Sequence, residues 1–278
     1  MNALEQLLLG WTCAWSSVRI ALRPSLWPAW IVLGGAQLAL LAALACCVHP
    51  LVSALAAPLV ASLAGPAALH YPTLFHELPR LFARVDAPIV AWLGAWAAGV
   101  TSLQVVAMAD RASSDAREAL RSAWRRLPAL LVAQLPLFAM EWLLGDGITL
   151  WLHHRGSGGL VVKAVTLLAG VTLGLGGVFL CWLPVLVIVG RYRVLEAWHE
   201  LPRLGGRGFG AALVVLAMAW IPQAPFALAL RGPGRWIDMG HPEWVALLMV
   251  GQLVVALVMG LLATIAIALA WTALREEP

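Results

Sequence analysis

The chain has 278 residues, of which 62% are hydrophobic and only 12% are charged, and its formal net charge is +4. A soluble domain carries about 25% charged residues, so this composition excludes a soluble globular enzyme and indicates a protein that lies in a bilayer. The 15 Trp and two Tyr support this conclusion, because Trp is enriched at membrane interfaces.

The first third of the chain contains one clear span and one ambiguous stretch. Residues 1–25 are mildly amphipathic, and the uncharged run 26–48 is long enough to cross a hydrocarbon core that needs about 20 residues. The stretch 51–71 is apolar but interrupted by two prolines and a glycine. It is interpreted as a re-entrant or surface segment, with a poor spanning helix as the alternative. Residues 72–86 are again amphipathic.

Apolar runs later in the chain predict five more spans, at 87–109, 128–144, 160–190, 209–230 and 244–274. The predicted fold class is therefore all-α, a polytopic transmembrane helix bundle of about six spans with amphipathic surface helices before spans. The chain is expected to form a single integral membrane domain, 1–278, built from three helix-hairpin units. These units are 1–109 (with an extracytoplasmic segment at 49–86), 110–190 and 191–278.

The densest charge in the chain lies at 110–127, between two apolar runs. Asp115 is expected to cap a helix, with Glu118 at the capping-box spacing. Leu120, Ala123, Trp124 and Leu127 share one helix face, and Arg117, Arg121 and Arg125 form a stripe on another face. Pro128 suits the first turn of a new helix. The pattern predicts an amphipathic helix on the membrane surface that turns into a span at Pro128.

Orientation follows from the basic residues. With six spans, the segments 1–25, 110–127, 191–208 and 275–278 share one side, which then holds twelve of the 18 Lys and Arg. If 51–71 crosses, this bias disappears. The six-span topology with both termini cytoplasmic is therefore preferred. One observation runs against it, because HELPRL occurs at 76–81 and 199–204, on opposite sides in this topology. Chance or an error about 51–71 explains the repeat.

Two sequence stretches carry a family resemblance: DAREALRSAWRRLPALL, and two spans later LPVLVIVGRYRVLEAWHELPRLGGRGFGAALVV. They resemble bacterial six-helix integral membrane domains related to the membrane domain of glycerophosphodiester phosphodiesterases. The matching positions are Glu118–Leu127, Pro184, Leu195–Leu204 and Gly205–Gly210. The resemblance implies a helical membrane fold in a bacterial plasma (inner) membrane. It carries over no catalytic residue, because the membrane domain is not the catalytic part of those proteins.

Two sets of polar residues leave alternatives open. Glu141 lies within an apolar run and Lys163 near the start of the next, so a structural pair is expected, with a transport path as the alternative. On the predicted outer side lie His49, His70, His76, His153, His154, His241, Glu77, Asp238 and Glu243. Imidazole with carboxylate suits transition metals, but no metal-ligand spacing is present, so no metal and no cofactor are predicted.

These observations favour a non-enzymatic integral membrane subunit, a scaffold or a partner- or lipid-binding component of a membrane complex. A transporter or lipid-moving protein around Glu141 and Lys163 is the alternative, and a metal-dependent membrane enzyme using the outer His residues is a second one. The expected partners are anionic lipid headgroups and another membrane or cytoplasmic protein, with nucleic acid excluded because the basic helix lies between spans. The predicted surface consists of Arg117, Arg121, Trp124, Arg125, Arg126, Trp198, Arg203 and Arg207.

Overall fold

The computed structural model describes residues 2–46, 49–111, 115–143 and 159–276, and these residues form helices and turns with no strand among them. This confirms the all-α fold class. The α-helices are α1 (Ala3–Ala21), α2 (Pro28–Ala45), α3 (Pro50–Ala64), α4 (Thr73–Ile89), α5 (Ala95–Ala109), α6 (Ala116–Trp142), α7 (Gly159–Leu180), α8 (Val194–Trp220), α9 (Ala224–Leu230), α10 (Gly234–Asp238) and α11 (Glu243–Glu276). Short 3₁₀ turns lie at Pro24–Leu26, Pro66–Leu69 and Ile221–Gln223, and π-helical turns at Val90–Gly94 and Val185–Val189.

Within the described ranges, five helical segments are long and apolar enough to cross a bilayer, which is consistent with a multi-pass membrane protein. They are Pro28–Ala45, Thr73–Ala109, Gly159–Val189, Val194–Leu230 and Glu243–Glu276, and each overlaps one of the predicted spans. The sixth predicted span, 128–144, forms the second half of α6 and extends beyond residue 143, where the described range ends. The six-span count therefore stays a prediction.

The ambiguous stretch 51–71 folds as α3, which has 15 residues, followed by a 3₁₀ turn. At 1.5 Å per residue such a helix measures about 22 Å, which is less than a hydrocarbon core of about 30 Å. Pro66 and the positive φ of 84° at Gly65 explain why the helix ends where it does, since a helix cannot continue through that backbone geometry.

Three predicted boundaries between a surface helix and a span prove to be continuous helix. α4 runs through the π-helical turn into α5, Pro128 lies inside α6, and α8 continues across the predicted boundary between residues 208 and 209. The prediction that a new helix begins at Pro128 is therefore wrong. A proline inside a helix removes a single N–H donor, and long apolar helices tolerate this loss where neighbouring groups compensate.

The chain divides into two compact units assembled from non-contiguous segments. The first unit comprises Met1–Ile20, Ala98–Leu216 and Ala263–Pro278, and the second comprises Ala21–Ala97 and Ala217–Leu262. Their boundaries differ from those of the three hairpin units expected along the chain, because the long helices contribute residues to both. The arrangement in three hairpins stays a prediction.

In the first compact unit, α1 packs closely against α8. Gln6 Oε1 accepts a hydrogen bond from the N–H of Gly210 at 3.0 Å, and Gln6 Nε2 donates to the carbonyl of Gly206 at 3.4 Å. The side-chain amide of Gln6 thus bonds both members of one i, i+4 backbone pair. A Cβ added at Gly10 would lie 2.7 Å from the Cα of Ala211, so the two backbones meet where glycine permits it.

The remaining basic segments of this unit are also linked. Arg275 Nη2 lies 2.9 Å from Asp110 Oδ1, which joins the end of α11 to the end of α5. A Cβ added at Gly208 would lie 2.6 Å from the Trp182 ring and 2.9 Å from Leu274, which joins α8 to α11. Apart from residues 21–25, which belong to the second unit, the four segments that the sequence assigns to one side of the membrane therefore lie in the first unit.

Cys13 of α1 is a packing residue. Its side chain is buried, and burial raises the pKa of the thiol to about 11. The thiol is therefore protonated at neutral pH and behaves as a small apolar group.

The close approach of α1 and α8 leads to a stability prediction. Gly10→Ala is expected to lower the free energy of unfolding by about 1–3 kcal/mol, because the new methyl group would meet backbone atoms of Ala211. Gly206→Ala is the matched control, since a Cβ there meets nothing within 4 Å, and it should stabilise the helix by about 0.5–1 kcal/mol. Thermal unfolding of both variants in detergent gives the comparison. Equal transition temperatures would contradict the packing.

The second compact unit has a continuous apolar core. It is formed by α2, α3, α4, the 3₁₀ turn Pro66–Leu69 and the first half of α11. Its buried members are Leu41, Leu44, Ala56, Val60, Ala68, Leu74, Leu78, Leu81, Phe82, Val245, Met249 and Leu253. Tyr71 closes one end of this unit, because its hydroxyl donates to Glu243 Oε1 at 3.0 Å, and this bond raises the pKa of Tyr71.

Candidate functional site

The N-terminal half of α6 presents the basic stripe, defined as Arg117, Arg121 and Arg125. All three side chains are exposed. Asp115 caps the helix as predicted, because its Oδ1 accepts from the N–H of Arg117 at 3.0 Å. The opposite face is buried at Ala119, Ala123, Leu127 and Leu130. The predicted amphipathic pattern is therefore present, with guanidinium groups outward and Ala and Leu residues inward. Trp124, which was predicted to lie on the apolar face, is instead 52% exposed.

Arg126 does not belong to this exposed face, although the sequence placed it there. Its Nη1 donates to the carbonyl of Val187 at 3.1 Å, inside the π-helical turn that follows α7. Carbonyls near a helix end lack intrahelical donors, and an arginine side chain satisfies them well. Arg126 therefore fastens α6 to the π-helical turn and is corrected from a surface residue to a structural one.

The first turns of α8 carry the other predicted surface residues. Arg203 and Arg207 are exposed and line a cavity of about 370 Å³ together with Glu200, Leu204 and Leu274. Arg203 pairs with Glu200 at 3.3 Å, an exposed i, i+3 pair that contributes little to stability. Trp198 is half-buried and lines a separate apolar cavity of about 320 Å³ with Pro136, Gly176, Phe179, Leu180, Leu201 and Pro202.

The sequence contains three Ala-Trp pairs, Ala14-Trp15, Ala123-Trp124 and Ala197-Trp198, and the first two occupy equivalent environments in the first compact unit, whereas Trp198 is half-buried. Ala14, Ala123 and Ala197 are all buried, whereas Trp15 and Trp124 are more than half exposed. An exposed indole beside a buried alanine is the arrangement expected at a membrane interface, where Trp presents an apolar ring and a polar N–H. For the first two pairs, the recurrence seen in the sequence therefore corresponds to a recurring position in the structure.

The Glu141–Lys163 pair remains a prediction. The side chain of Glu141 lies outside the described residues, whereas Lys163 is exposed on the first turn of α7. α6 does pack against α7, so the two helices are neighbours as the hairpin requires.

The histidines predicted on the outer side do not gather around a common point in the described chain. Among the residues the structure covers, no group of three His, Cys, Asp or Glu side chains is placed to hold a metal ion. His153 and His154 lie outside the described ranges.

A polar contact that the sequence analysis missed lies in the second compact unit. Gln37 of α2 donates from Nε2 to Asp86 Oδ2 of α4 at 2.8 Å, and both side chains are more than nine-tenths buried. The sequence placed Asp86 at the end of the extracytoplasmic segment 49–86. Its bond to Gln37, the tenth of the 18 residues of α2, places it level with the middle of an uncharged helix.

The spacing of the apolar residues on α2 and α4 could have predicted this contact. Asp86 continues the i, i+4 series of buried residues Leu74, Leu78 and Phe82 on α4. On α2 the buried face consists of Ala29, Trp30, Leu33, Gly34, Gln37, Leu41 and Leu44. A polar residue at the centre of an apolar face on each of two helices predicts that the two residues meet.

Comparison with known proteins identifies no relative: no family model, no curated protein and no solved structure matches this chain.

Proposed function

We propose that this protein is a non-enzymatic multi-pass membrane component whose basic stripe binds anionic lipid headgroups and positions a protein partner at that surface. The observation that carries the proposal is that the arginines of α6 have two different environments. Arg126 is used inside the fold, whereas the three arginines of the stripe point outward and make no ion pair among the described residues.

Physical chemistry supports lipid as the ligand of this stripe. A basic side chain near an anionic membrane surface gains about 1 kcal/mol, and arginine forms bidentate contacts with phosphate. Trp124 lies on the same helix and is 52% exposed, so an indole that prefers the headgroup region flanks the guanidinium groups.

The membrane placement is part of the same proposal. Six spans, cytoplasmic termini and a bacterial plasma membrane follow from the excess of basic residues at 1–25, 110–127, 191–208 and 275–278. The contacts that join these segments within the first compact unit support a common side. The resemblance to the membrane domain of glycerophosphodiester phosphodiesterases is proposed on the residues of α6 and α8 alone.

Transport is the second candidate function, and one observation favours it. Ionisable groups inside apolar helices are rare and mark substrate or proton paths, and the buried carboxylate of Asp86 is such a group. The path first predicted, around Glu141 and Lys163, gains no such support, because Lys163 is exposed.

Lipid binding tests the proposed function directly. The change is Arg117→Gln, Arg121→Gln and Arg125→Gln together, in purified protein titrated with fluorescent phosphatidylglycerol in detergent micelles. The affinity is expected to fall by roughly a hundredfold, since three contacts of about 1 kcal/mol are lost. Phosphatidylcholine should bind weakly to both proteins.

Arg126→Gln is the matched control for this titration. It should bind phosphatidylglycerol as the unaltered protein does but unfold at a lower temperature, because a hydrogen bond from a charged donor contributes about 1.5–3 kcal/mol. Unchanged phosphatidylglycerol affinity in the triple variant would overturn the assignment of the stripe to lipid.

A further inference from the structure

In the Asp86–Gln37 contact, only one of the two carboxyl oxygens of Asp86 has a hydrogen-bond partner among the described residues. Gln37 Nε2 donates to Asp86 Oδ2 at 2.8 Å, while Oδ1 of the same carboxyl group is buried with no hydrogen-bond partner among the described residues. A buried polar atom without a partner is costly and is uncommon in folded proteins. One oxygen of Asp86 is therefore held by an amide, and the other is available to a small ligand.

The surroundings of Asp86 contain little charge. α2, α3 and the 3₁₀ turn Pro66–Leu69 pack against α4 and carry no ionisable side chain. Asp86 makes no ion pair within the described chain. The ionisable groups on the other elements packed against α4, and on α4 itself, are Arg235, Asp238, Glu243, His76, Glu77, Arg80 and Arg84, together with Arg275 and Glu276 at the far end of α11.

The backbone beside Asp86 departs from regular helix. Pro88 lies two residues further on and lacks an N–H, and the π-helical turn Val90–Gly94 follows directly. α2, which carries Gln37, packs against both α4 and this turn. π-helical turns inside α-helices occur frequently at functional sites, so the carboxyl group lies where the helix geometry is least regular.

We propose that Asp86 is a proton-binding site within the membrane, with Gln37 holding Oδ2 and the exchangeable proton on Oδ1. The carboxylate and a proton from water combine to the neutral acid, and no other bond forms or breaks. The depth of Asp86 in the membrane favours binding of the proton, because the neutral acid avoids a buried charge. Gln37 lies about 13 Å from either end of α2 at 1.5 Å per residue, and an uncompensated charge at such depth in hydrocarbon is expensive. This inference is independent of lipid binding by the basic stripe.

Infrared spectroscopy tests the proposal on the purified full chain in detergent. The C=O stretching band of a protonated carboxylic acid is separate from the bands of amides and carboxylates. We expect this band to contain one component that disappears reversibly as pH rises within the range where the protein stays folded and that is lost in Asp86→Asn, while the exposed carboxyl groups contribute components that this substitution leaves unchanged. Asp110→Asn is the control, because Asp110 is exposed and paired with Arg275, and it should leave the Asp86 component unchanged.

Two outcomes would overturn the proposal. If Asp86→Asn leaves the band unchanged at every pH, Asp86 is ionised throughout. A band that persists at every pH would show a permanently protonated group with a purely structural role. If Asp86→Asn fails to fold, ¹³C-labelled aspartate in the unaltered protein keeps the test decisive, since the label shifts the band only if an aspartic acid produces it. Gln37→Leu should then shift the same band, because it removes the donor to Oδ2.

Discussion

Replacing Arg117, Arg121 and Arg125 together with Glu is expected to leave much of the protein incorrectly inserted. The basic stripe accounts for three of the twelve basic residues that the proposed topology assigns to the inner side, and each contributes about 1 kcal/mol of attraction to an anionic surface. Reversing the three charges removes about 3 kcal/mol of attraction to the inner surface and adds repulsion. The ratio of correctly to incorrectly oriented molecules should therefore fall by more than about a hundredfold. The fraction of correctly oriented molecules is measured with an impermeant thiol reagent at a cysteine placed beside α6.

The triple Arg→Lys variant is the control for this experiment. Lysine keeps the charge, and orientation depends on the number of Lys and Arg in the loops flanking each span, so this variant should insert as the unaltered protein does. Normal accumulation and labelling of the Glu variant would show that the stripe does not determine how α6 is threaded.

A double-mutant cycle at Gln37 and Asp86 is expected to show strong coupling. Gln37→Leu leaves Asp86 Oδ2 without its donor and Asp86→Leu leaves the Gln37 amide unpaired, so each should cost about 1–3 kcal/mol of stability. The double Leu variant should cost clearly less than the two single changes combined, since no buried polar group is then left unpaired, and the coupling should fall within about 0.5–3 kcal/mol.

Chemical or thermal unfolding in detergent supplies the four free energies of this cycle. A control cycle pairs Asp86→Leu with Gln223→Leu, because Gln223 bonds the carbonyl of Ala219 on its own helix segment. That pair should be additive. Additivity at Gln37 and Asp86 would mean that their hydrogen bond contributes nothing beyond the two side chains taken singly.

The amino-acid pattern predicts local features well because local physics determines them. Asp115 caps α6, the inward face of that helix is apolar, and five apolar runs lie in helices long enough to span a bilayer. Proline placement was less informative. Pro128 suggested a helix boundary, yet it lies inside α6, since packing and neighbouring groups compensate for one missing N–H donor.

Contacts between distant residues account for what the pattern did not predict. Arg126 resembles its neighbours in sequence, and only the carbonyl of Val187, 61 residues away, distinguishes it. Asp86 ends the amphipathic stretch 72–86, which the sequence predicts to be extracytoplasmic. Its i, i+4 relation to Phe82 shows that it shares the apolar face of α4, and the meaning of that position depends on Gln37, 49 residues earlier.

The proposed topology places the basic segments together on the inner side of the membrane, and thiol accessibility measures this placement most directly. Single cysteines at the exposed positions Glu118→Cys, His199→Cys and His241→Cys, in a cysteine-free background, are treated with an impermeant maleimide on intact cells. The account predicts that His241→Cys is labelled at once, and that the other two react only after permeabilisation. Labelling of either Glu118→Cys or His199→Cys in intact cells, at the rate of His241→Cys, would contradict it.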